Sequence, residues 1–251
     1  MTISSITKPD ATKHPAGTKR VAVLSYHKVG PPAPGGWETW FYVSESIFIQ
    51  QLQWLQSNHW NAISIEQFIQ GLSDPSSLPH KSVLLTFDDG YRSLLTVAGP
   101  ILQSLKMPGV VFVPTELVGT TNVFDKDVEP TEPLADWDEL RKLQNMGLAI
   151  ESHTASHPRL STQTSAQRRD ELLRSRDTIQ RKLGRTPLTL AYPYGDDADG
   201  DAQLLTDMRS VGYAAGFLYN GPVVTLPVSE PMRIPRLAMG PDTDLSVATS
   251  A

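Results

Sequence analysis

Short apolar runs rich in β-branched residues alternate with segments of helical period along most of this chain. The runs lie at residues 21–26, 82–87, 109–114, 148–151, 188–192, 213–218 and 232–238. The clearest helical segments between them are SIFIQQLQWLQSN, SLLTVAGPILQSL, WDELRKLQNMG and RRDELLRSRDTIQRKLG. Because strand and helix alternate repeatedly, the pattern predicts an α/β fold in which helices cover a parallel sheet.

The chain length favours one architecture for that sheet. About seven strand–helix units in roughly 220 residues suit a closed (β/α) barrel better than a doubly wound open sheet, although the alternation alone fits both. The chain has 251 residues, of which 39% are apolar, and this is enough for one sizeable core. We therefore expect a single (β/α) barrel, TIM-like but distorted, with about seven strands.

The sequence predicts one folded unit with short ends. No internal repeat and no low-complexity linker divides it. We expect a disordered N-terminal arm at 1–20, one domain at 21–240 and a C-terminal tail at 241–251. The N-terminal arm contains no apolar core of the kind that a signal peptide needs, so no export signal is expected there.

Charge and composition exclude several kinds of partner and site. The formal net charge of -5 argues against nucleic-acid and anionic-membrane partners, which favour clustered basic residues. No apolar stretch is long enough for an integral membrane segment. The chain has no cysteine, which rules out disulfides, a thiolate nucleophile and cysteine-built metal centres. Any metal site must therefore use histidine and carboxylate ligands.

Chemically active side chains follow four of the predicted strands. The segments at these strand ends are SYHK, TFDDG, ESHTASH and AYPYGD. In a barrel and in an open sheet alike, active groups lie at the carboxyl ends of parallel strands. His153 and His157 are four positions apart, so a helical turn would place both imidazoles on one face. Two histidines and one carboxylate form a standard divalent-metal site with open positions.

The adjacent residues Asp88 and Asp89 can supply that carboxylate. Two neighbouring carboxylates repel each other and resist burial, and a bound cation would offset the repulsion. Successive side chains on a strand point in opposite directions, so one aspartate can face the metal and the other the substrate.

Each of these features also has a structural interpretation. Asp-Asp-Gly and Pro-Tyr-Gly are typical of turns, and a histidine pair four positions apart is usual on a surface helix. The chain has only six histidines, and the four segments follow strands whose ends meet at one edge. This coincidence favours a common site.

The motif TFDDG, followed by SHTASH and then by YPYG, resembles those of the polysaccharide deacetylase family, the NodB-like carbohydrate esterases. The likeness extends over residues 21–240. It implies that Asp88 is the general base and that Asp89, His153 and His157 hold a divalent metal, most often zinc. It further implies that Tyr194 donates its backbone N–H to the oxyanion.

Two positions depart from the usual family pattern. The arginine that begins the third motif and braces the base is replaced by Ala191, and we expect Arg236 to brace Asp88 in its place; we group Arg236 with Tyr194 as substrate-binding. The late catalytic histidine is also missing. The SYHKV segment, however, resembles the biofilm poly-β-1,6-N-acetylglucosamine deacetylases, and this likeness implies that His27 is the catalytic acid.

The resemblance implies a metal-dependent hydrolase that removes N-acetyl groups from N-acetylglucosamine-containing polysaccharide and releases acetate, outside the cell or in its envelope. Two alternatives remain: an amidase acting on peptidoglycan, chitin oligomers or a small amide, and a degenerate carbohydrate-binding barrel without activity. A glycoside hydrolase is disfavoured because adjacent aspartates cannot flank a glycosidic bond about 5 to 9.5 Å apart.

Some polar and aromatic residues are open to less specific interpretations. Glu171 with Arg174, and Asp177 with Arg181, have helical spacing that fits an exposed helix face. The acidic segment 125–136 is interpreted as solvated loop charge and helix N-terminal acids. Four aromatic residues can either stack on sugars or pack internally, namely Trp37, Trp40, Phe41 and Tyr42.

Overall fold

The computed structural model describes residues 18–250. Its strands are β1 (Lys19–Tyr26), β2 (Lys28–Val29), β3 (Tyr42–Val43), β4 (Asn61–Ala62), β5 (Lys81–Phe87), β6 (Gly109–Val113), β7 (Leu148–Ser152), β8 (Thr189–Ala191), β9 (Ala215–Phe217), β10 (Val224–Leu226) and β11 (Leu237–Ala238). Its α-helices are α1 (Glu45–Ser57), α2 (Ile65–Ser73), α3 (Gly99–Leu105), α4 (Trp137–Asn145), α5 (Ser165–Leu183), α6 (Ala202–Val211) and α7 (Leu245–Ala248).

A curled sheet forms the centre of the fold. Its strand order is β10-β1-β5-β6-β7-β8-β9, with β11 added to β1 and β4 added to β5. All neighbours from β1 to β9 along this order are parallel, and so is β11 on β1. Only β10 runs antiparallel, beside the start of β1. Strand–helix–strand connections account for the parallel pairing.

The segment 234–238 joins the two ends of the curled sheet. Ile234 bridges Phe217 of β9 in parallel, and its N–H donates to the Gly216 carbonyl at 2.8 Å. Three residues later, Leu237 pairs with Leu24 of β1. The seven predicted runs thus correspond to β1, β5, β6, β7, β8, β9 and β11. The predicted distorted (β/α) barrel is confirmed.

Both faces of the parallel strands are buried, which explains why they appear in the sequence as unbroken apolar runs. One face, which includes Leu24 and Phe87, packs against α1, α3 and α4. Residues on the opposite face pack against one another across the barrel, and the rings of Phe112 and Phe217 lie 5.5 Å apart. No helix within residues 18–250 is long and apolar enough to cross a bilayer.

Local signals set the helix boundaries. The side chains of Ser64, Asp136 and Thr164 cap the N-termini of α2, α4 and α5 as part of capping boxes. The predicted helix at 93–105 is divided into a π-helical segment at 94–98 and α3. Pro100 explains the division, because it has no N–H to donate to the preceding turn.

The chain ends differ in part from the expected boundaries. Strand β1 begins at Lys19, so the last two residues of the predicted arm belong to the sheet. The rest of that arm, up to residue 17, lies outside the described residues. Within the predicted tail at 241–251, residues 245–248 form α7.

Candidate active site

A cavity of about 400 Å³ lies at the carboxyl ends of β1, β5, β7, β8 and β9. Its lining residues are His27, Lys28, Phe41, Asp88, Asp89, Tyr91, Asp125, Val128, Glu129, His153, His157, Arg159, Tyr192, Tyr194, Gly195 and Tyr219. The polar residues that follow four separate strands in the sequence therefore meet in one cavity. Parallel strands bring them together because their carboxyl ends share one edge of the sheet.

Three buried ligand groups converge at the base of this cavity. Oδ1 of Asp89 lies 3.4 Å from Nε2 of His153 and 3.3 Å from Nε2 of His157. One ligand atom from each residue lies within 4.8 Å of the other two. Bonds of about 2.0–2.2 Å to a tetrahedral ion separate neighbouring ligand atoms by about 3.4 Å, so the two measured spacings fit a divalent metal.

The hydrogen bonds of these groups also fit a metal. Oδ1 of Asp89 is buried and has no hydrogen-bond partner among the described residues. Nδ1 of His153 lies 2.8 Å from the Ala191 carbonyl. A proton on Nδ1 satisfies that contact and leaves the Nε2 lone pair available to a metal, as a ligating histidine requires. Burial opposes ionisation of Asp89, yet the two facing imidazoles hold its pKa well below the usual value.

The backbone that presents the ligands is irregular. Asp89 adopts a φ of 66°, and Thr154 and His157 adopt φ values of 66° and 63°. Residues 153–157 form a loop, so the predicted helical turn is wrong. The two imidazoles face Asp89 because of these left-handed residues. Such conformations in residues other than glycine are uncommon and cluster at functional sites.

Asp88 forms a buried ion pair with Arg236. Nη1 and Nη2 of Arg236 donate to the two carboxylate oxygens of Asp88, each at 2.7 Å. The Arg236 side chain is fully buried, does not line the cavity, and also donates from Nε to the Leu218 carbonyl at 2.6 Å. Burial opposes ionisation of Asp88, but the guanidinium outweighs it and lowers the pKa of the carboxyl below its usual value.

His27 lies beside Asp88 in the cavity. Its Nε2 is 4.0 Å from Oδ2 of Asp88, and its ring contacts Phe41 and Tyr219 with centroid distances of 4.8 and 5.4 Å. Burial lowers the pKa of His27 below that of a free imidazole. The imidazole is therefore neutral near pH 7 and can exchange a proton on the cavity side.

Tyr194 lies on the turn after β8. It adopts a φ of 60°, and its ring is 4.7 Å from the His157 ring. The guanidinium of Arg159 lies over this ring, 4.2 Å from its centroid. Tyr194 lines the cavity, and the role of its backbone N–H in oxyanion binding stays a prediction.

A sequence model of the family described as polysaccharide deacetylase matches residues 76–216. The chain belongs to the polysaccharide deacetylase family. Among curated relatives, the poly-beta-1,6-N-acetyl-D-glucosamine N-deacetylase of Staphylococcus aureus (strain MRSA252) is 26% identical over 211 residues, which cover 80% of this chain and 69% of the relative. The protein of the same name from Escherichia coli (strain K12) is 27% identical over 224 residues, which cover 76% of this chain but 32% of the relative. The predicted likeness to this branch is confirmed.

Solved structures show the same polysaccharide deacetylase fold. IcaB from Ammonifex degensii has a TM-score of 0.77 and 23% identity, with coverage of 92% of this chain and 96% of that chain. The deacetylase PplD from Streptococcus pyogenes has a TM-score of 0.75 and 22% identity, with coverage of 89% and 93% respectively. These similarities agree with the barrel described above.

The structure of this polysaccharide deacetylase divides the four aromatic candidates between surface and interior. Trp37 and Trp40 are exposed by 56% and 40%. Phe41 lines the cavity, whereas Tyr42 is buried and its hydroxyl donates to Oε1 of Glu132 at 2.7 Å. Of these four residues, Phe41 is the one placed to contact a molecule bound in the cavity.

Glu171 supports the loop between His153 and His157, a role that the sequence did not indicate. Its Oε2 accepts the backbone N–H groups of Ala155 and Ser156 at 2.9 and 2.8 Å, and its Oε1 accepts the Ser156 hydroxyl at 2.7 Å. Glu171 is buried, so the interpretation of an exposed charge is wrong. Its pairing with Arg174 is present at 2.7 Å. A buried carboxylate thus fixes the loop between His153 and His157.

We expect Glu171→Gln to weaken metal binding about 10- to 100-fold, because residues that orient metal ligands contribute on this scale. The amide can present only one acceptor oxygen to the three donors of the loop. Calorimetric titration of the metal-free protein with Zn²⁺ measures the effect. Asp170→Asn is the matched control, since Asp170 is an exposed neighbour that bonds Arg174. Equal affinity in both variants would show that the loop holds its shape without Glu171.

Proposed function

We propose that this protein is a metal-dependent hydrolase that removes N-acetyl groups from N-acetylglucosamine-containing polysaccharide and releases acetate. One observation carries the proposal: the convergence of Asp89, His153 and His157 beside the separate carboxylate of Asp88 in a single cavity. The relatives named as poly-beta-1,6-N-acetyl-D-glucosamine N-deacetylases support the same substrate class. We further propose that residues 21–240 are the catalytic domain and that the substrate is an extracellular or envelope polysaccharide.

We propose zinc as the ion held by Asp89, His153 and His157, because zinc commonly takes histidine and carboxylate ligands at the spacing found here. Bound there, the ion would supply Lewis-acid polarisation and would lower the pKa of water from about 15.7 to about 7. The protein residues around it then have to orient the amide and move two protons.

Asp88 is assigned as the general base. It is ionised at neutral pH because Arg236 lowers its pKa, and it lies next in sequence to the ligand Asp89. It can therefore accept a proton from the attacking water. The two hydrogen bonds from Arg236 occupy one edge of the carboxylate and fix its orientation. Through Asp88, Arg236 contributes to the site without contacting the solvent-filled part of the cavity.

His27 is assigned as the general acid. An amide nitrogen must be protonated before it leaves, since an amide anion is far too basic. The neutral imidazole of His27 lies 4.0 Å from Asp88, close enough to collect the proton that Asp88 takes from water once the groups tighten around substrate. The Tyr194 backbone N–H is assigned to the developing oxyanion.

We expect His27→Ala to lower kcat about 10²-fold, because a positioned proton donor contributes on this scale. Metal content should be unchanged, since His27 is not one of the three ligands. Acetate release and metal analysis measure the two quantities. His80→Ala, at an exposed histidine, is the control. Turnover in His27→Ala equal to that of this control would assign proton donation to another group.

Acetate release from N-acetylglucosamine oligomers tests the proposed function. The purified protein should release acetate, lose this activity when a chelator removes the metal, and regain it on addition of Zn²⁺. Activity that persists in the metal-free protein would contradict the metal-dependent mechanism. Absence of activity with every divalent ion tested and with β-1,6- and β-1,4-linked oligomers alike would indicate a non-catalytic barrel.

A further inference from the structure

One wall of the cavity is formed by the loop at 121–132. Phe124 stacks on the ring of the metal ligand His157, with centroids 3.9 Å apart and planes inclined by 28°. The side chain of Asn122 closes the loop, because Nδ2 donates to the Pro130 carbonyl at 3.0 Å and Oδ1 accepts the Glu132 N–H at 2.7 Å. Internal hydrogen bonds thus hold the loop in place where it packs against the metal-site residue His157.

A buried ion pair connects this wall to β2. Nζ of Lys28, the residue after His27, donates to Oε2 of Glu129 at 2.6 Å. The Thr39 hydroxyl donates to the same oxygen at 2.8 Å. Glu129 and Lys28 are both buried, so the prediction of solvated charge is wrong for this part of the acidic segment.

Asp125 differs from the other acidic residues of the cavity. Asp88 is paired with Arg236, Asp89 faces two imidazoles, and Glu129 is paired with Lys28. The half-buried carboxylate of Asp125 lines the same cavity but has no hydrogen bond or ion pair to any other residue in the range 18–250. Desolvation, followed by the charge of Asp89, raises its pKa to about 6.

The backbone fixes Asp125 in this position. Its carbonyl accepts the N–H groups of Val128 and Glu129 at 2.9 and 2.8 Å, and its own N–H donates to the Asn122 carbonyl at 3.1 Å. A partly desolvated carboxylate without a donor is costly, and a ligand that brings a donor recovers this cost. Phe41 and Tyr219 line the same cavity with aromatic surface that suits the faces of a sugar ring.

We propose that Asp125 is a specificity-determining residue that accepts a hydrogen bond from a hydroxyl group of the N-acetylglucosamine ring bound at the metal centre. This inference rests on the proposed function. In small-molecule sites, a few placed polar groups fix the orientation of a ligand among apolar walls. Apart from the metal-site residue Asp89, Asp125 is the cavity carboxylate whose acceptor capacity no described residue uses.

The test compares substrates that have and lack sugar hydroxyls. Asp125→Ala should lower kcat/KM for an N-acetylglucosamine trimer about 10- to 100-fold, as expected for loss of a hydrogen bond to a charged group. Hydrolysis of 4-nitrophenyl acetate, which has no hydroxyl, should change less than about twofold. Asp127→Ala is the matched control, because Asp127 is an exposed acid of the same loop and should affect neither substrate.

Trimers that lack one sugar hydroxyl identify the hydrogen bond that Asp125 accepts. Removing the recognised hydroxyl should lower kcat/KM in the wild type about as much as Asp125→Ala does, and should have little further effect in that variant. Equal losses on the trimer and on 4-nitrophenyl acetate, or no loss on either, would overturn the proposal. If the wild type releases no acetate from any oligomer, the proposed function fails; calorimetric binding of the trimer to wild type and Asp125→Ala then decides the inference separately.

Discussion

Replacing Asp88 by asparagine is expected to reduce acetate release about 10³- to 10⁴-fold, toward the upper limit for loss of a general base. Asparagine keeps the size of the side chain but cannot accept the proton of water. Metal content should be unchanged, because the ligands are Asp89, His153 and His157. Single-turnover acetate release and metal analysis on the same preparation measure both quantities.

The asparagine variant also leaves Arg236 without its counter-charge, so stability has to be measured beside activity. Denaturant unfolding gives the fraction folded at the assay temperature, and the rate is corrected by that fraction. Ser25→Ala is the control, since the Ser25 hydroxyl donates to Oδ2 of Asp88 at 3.5 Å and the proposed mechanism assigns it no proton to transfer. A corrected rate within about tenfold of the wild type would assign the base to a different residue.

The sequence predicts the barrel well because its strands are buried on both faces. The seven strands that correspond to the predicted runs therefore appear as apolar segments, and the runs at 82–87 and 109–114 coincide with β5 and β6 nearly residue for residue. Closure of the barrel by residues 234–238 was harder to predict from the sequence, because only two residues of the run at 232–238 form a regular strand. The other contacts of this segment with the sheet are isolated backbone hydrogen bonds, which hydrophobic periodicity does not encode.

The gathering of the metal ligands was predictable for a topological reason. Once strands are parallel, residues that follow them meet at one edge, and this places Asp89 near His153 whatever the loop between them does. The loop conformation was not predictable in the same way. The spacing of His153 and His157 suggested a helical turn, whereas three hydrogen bonds from the loop to Glu171 hold a different shape.

The side-chain environments that could not be predicted from the sequence depend on partners far away in the chain. Helical spacing relates Glu171 to Arg174 but does not tell which face of α5 is buried. Asp125 and Glu129 lie in a segment with no periodic pattern, and their different environments arise from Lys28, about a hundred residues earlier in the chain. Such pairings follow from the closed barrel and not from local sequence.

Replacing Arg236 by alanine is expected to lower the free energy of unfolding by about 3–5 kcal/mol, the usual cost of removing one partner of a buried ion pair. The variant leaves the carboxylate of Asp88 buried without a cation. Denaturant titration at pH 7 measures the loss. Arg233→Ala is the matched control: Arg233 pairs with Asp197 at 2.5 Å but is itself partly exposed, and removing such a pair costs about 1 kcal/mol or less.

The pH dependence distinguishes loss of the ion pair from loss of packing. Arg236 lowers the pKa of Asp88 in the folded state, so the stability from this pair is present above the unfolded pKa of about 3.9 and is lost as pH falls through the folded value. The difference between wild type and Arg236→Ala should therefore shrink below about pH 4. A difference that stays constant with pH would mean that the guanidinium stabilises the barrel by filling space above Phe112, 5.6 Å away, and not through the charge of Asp88.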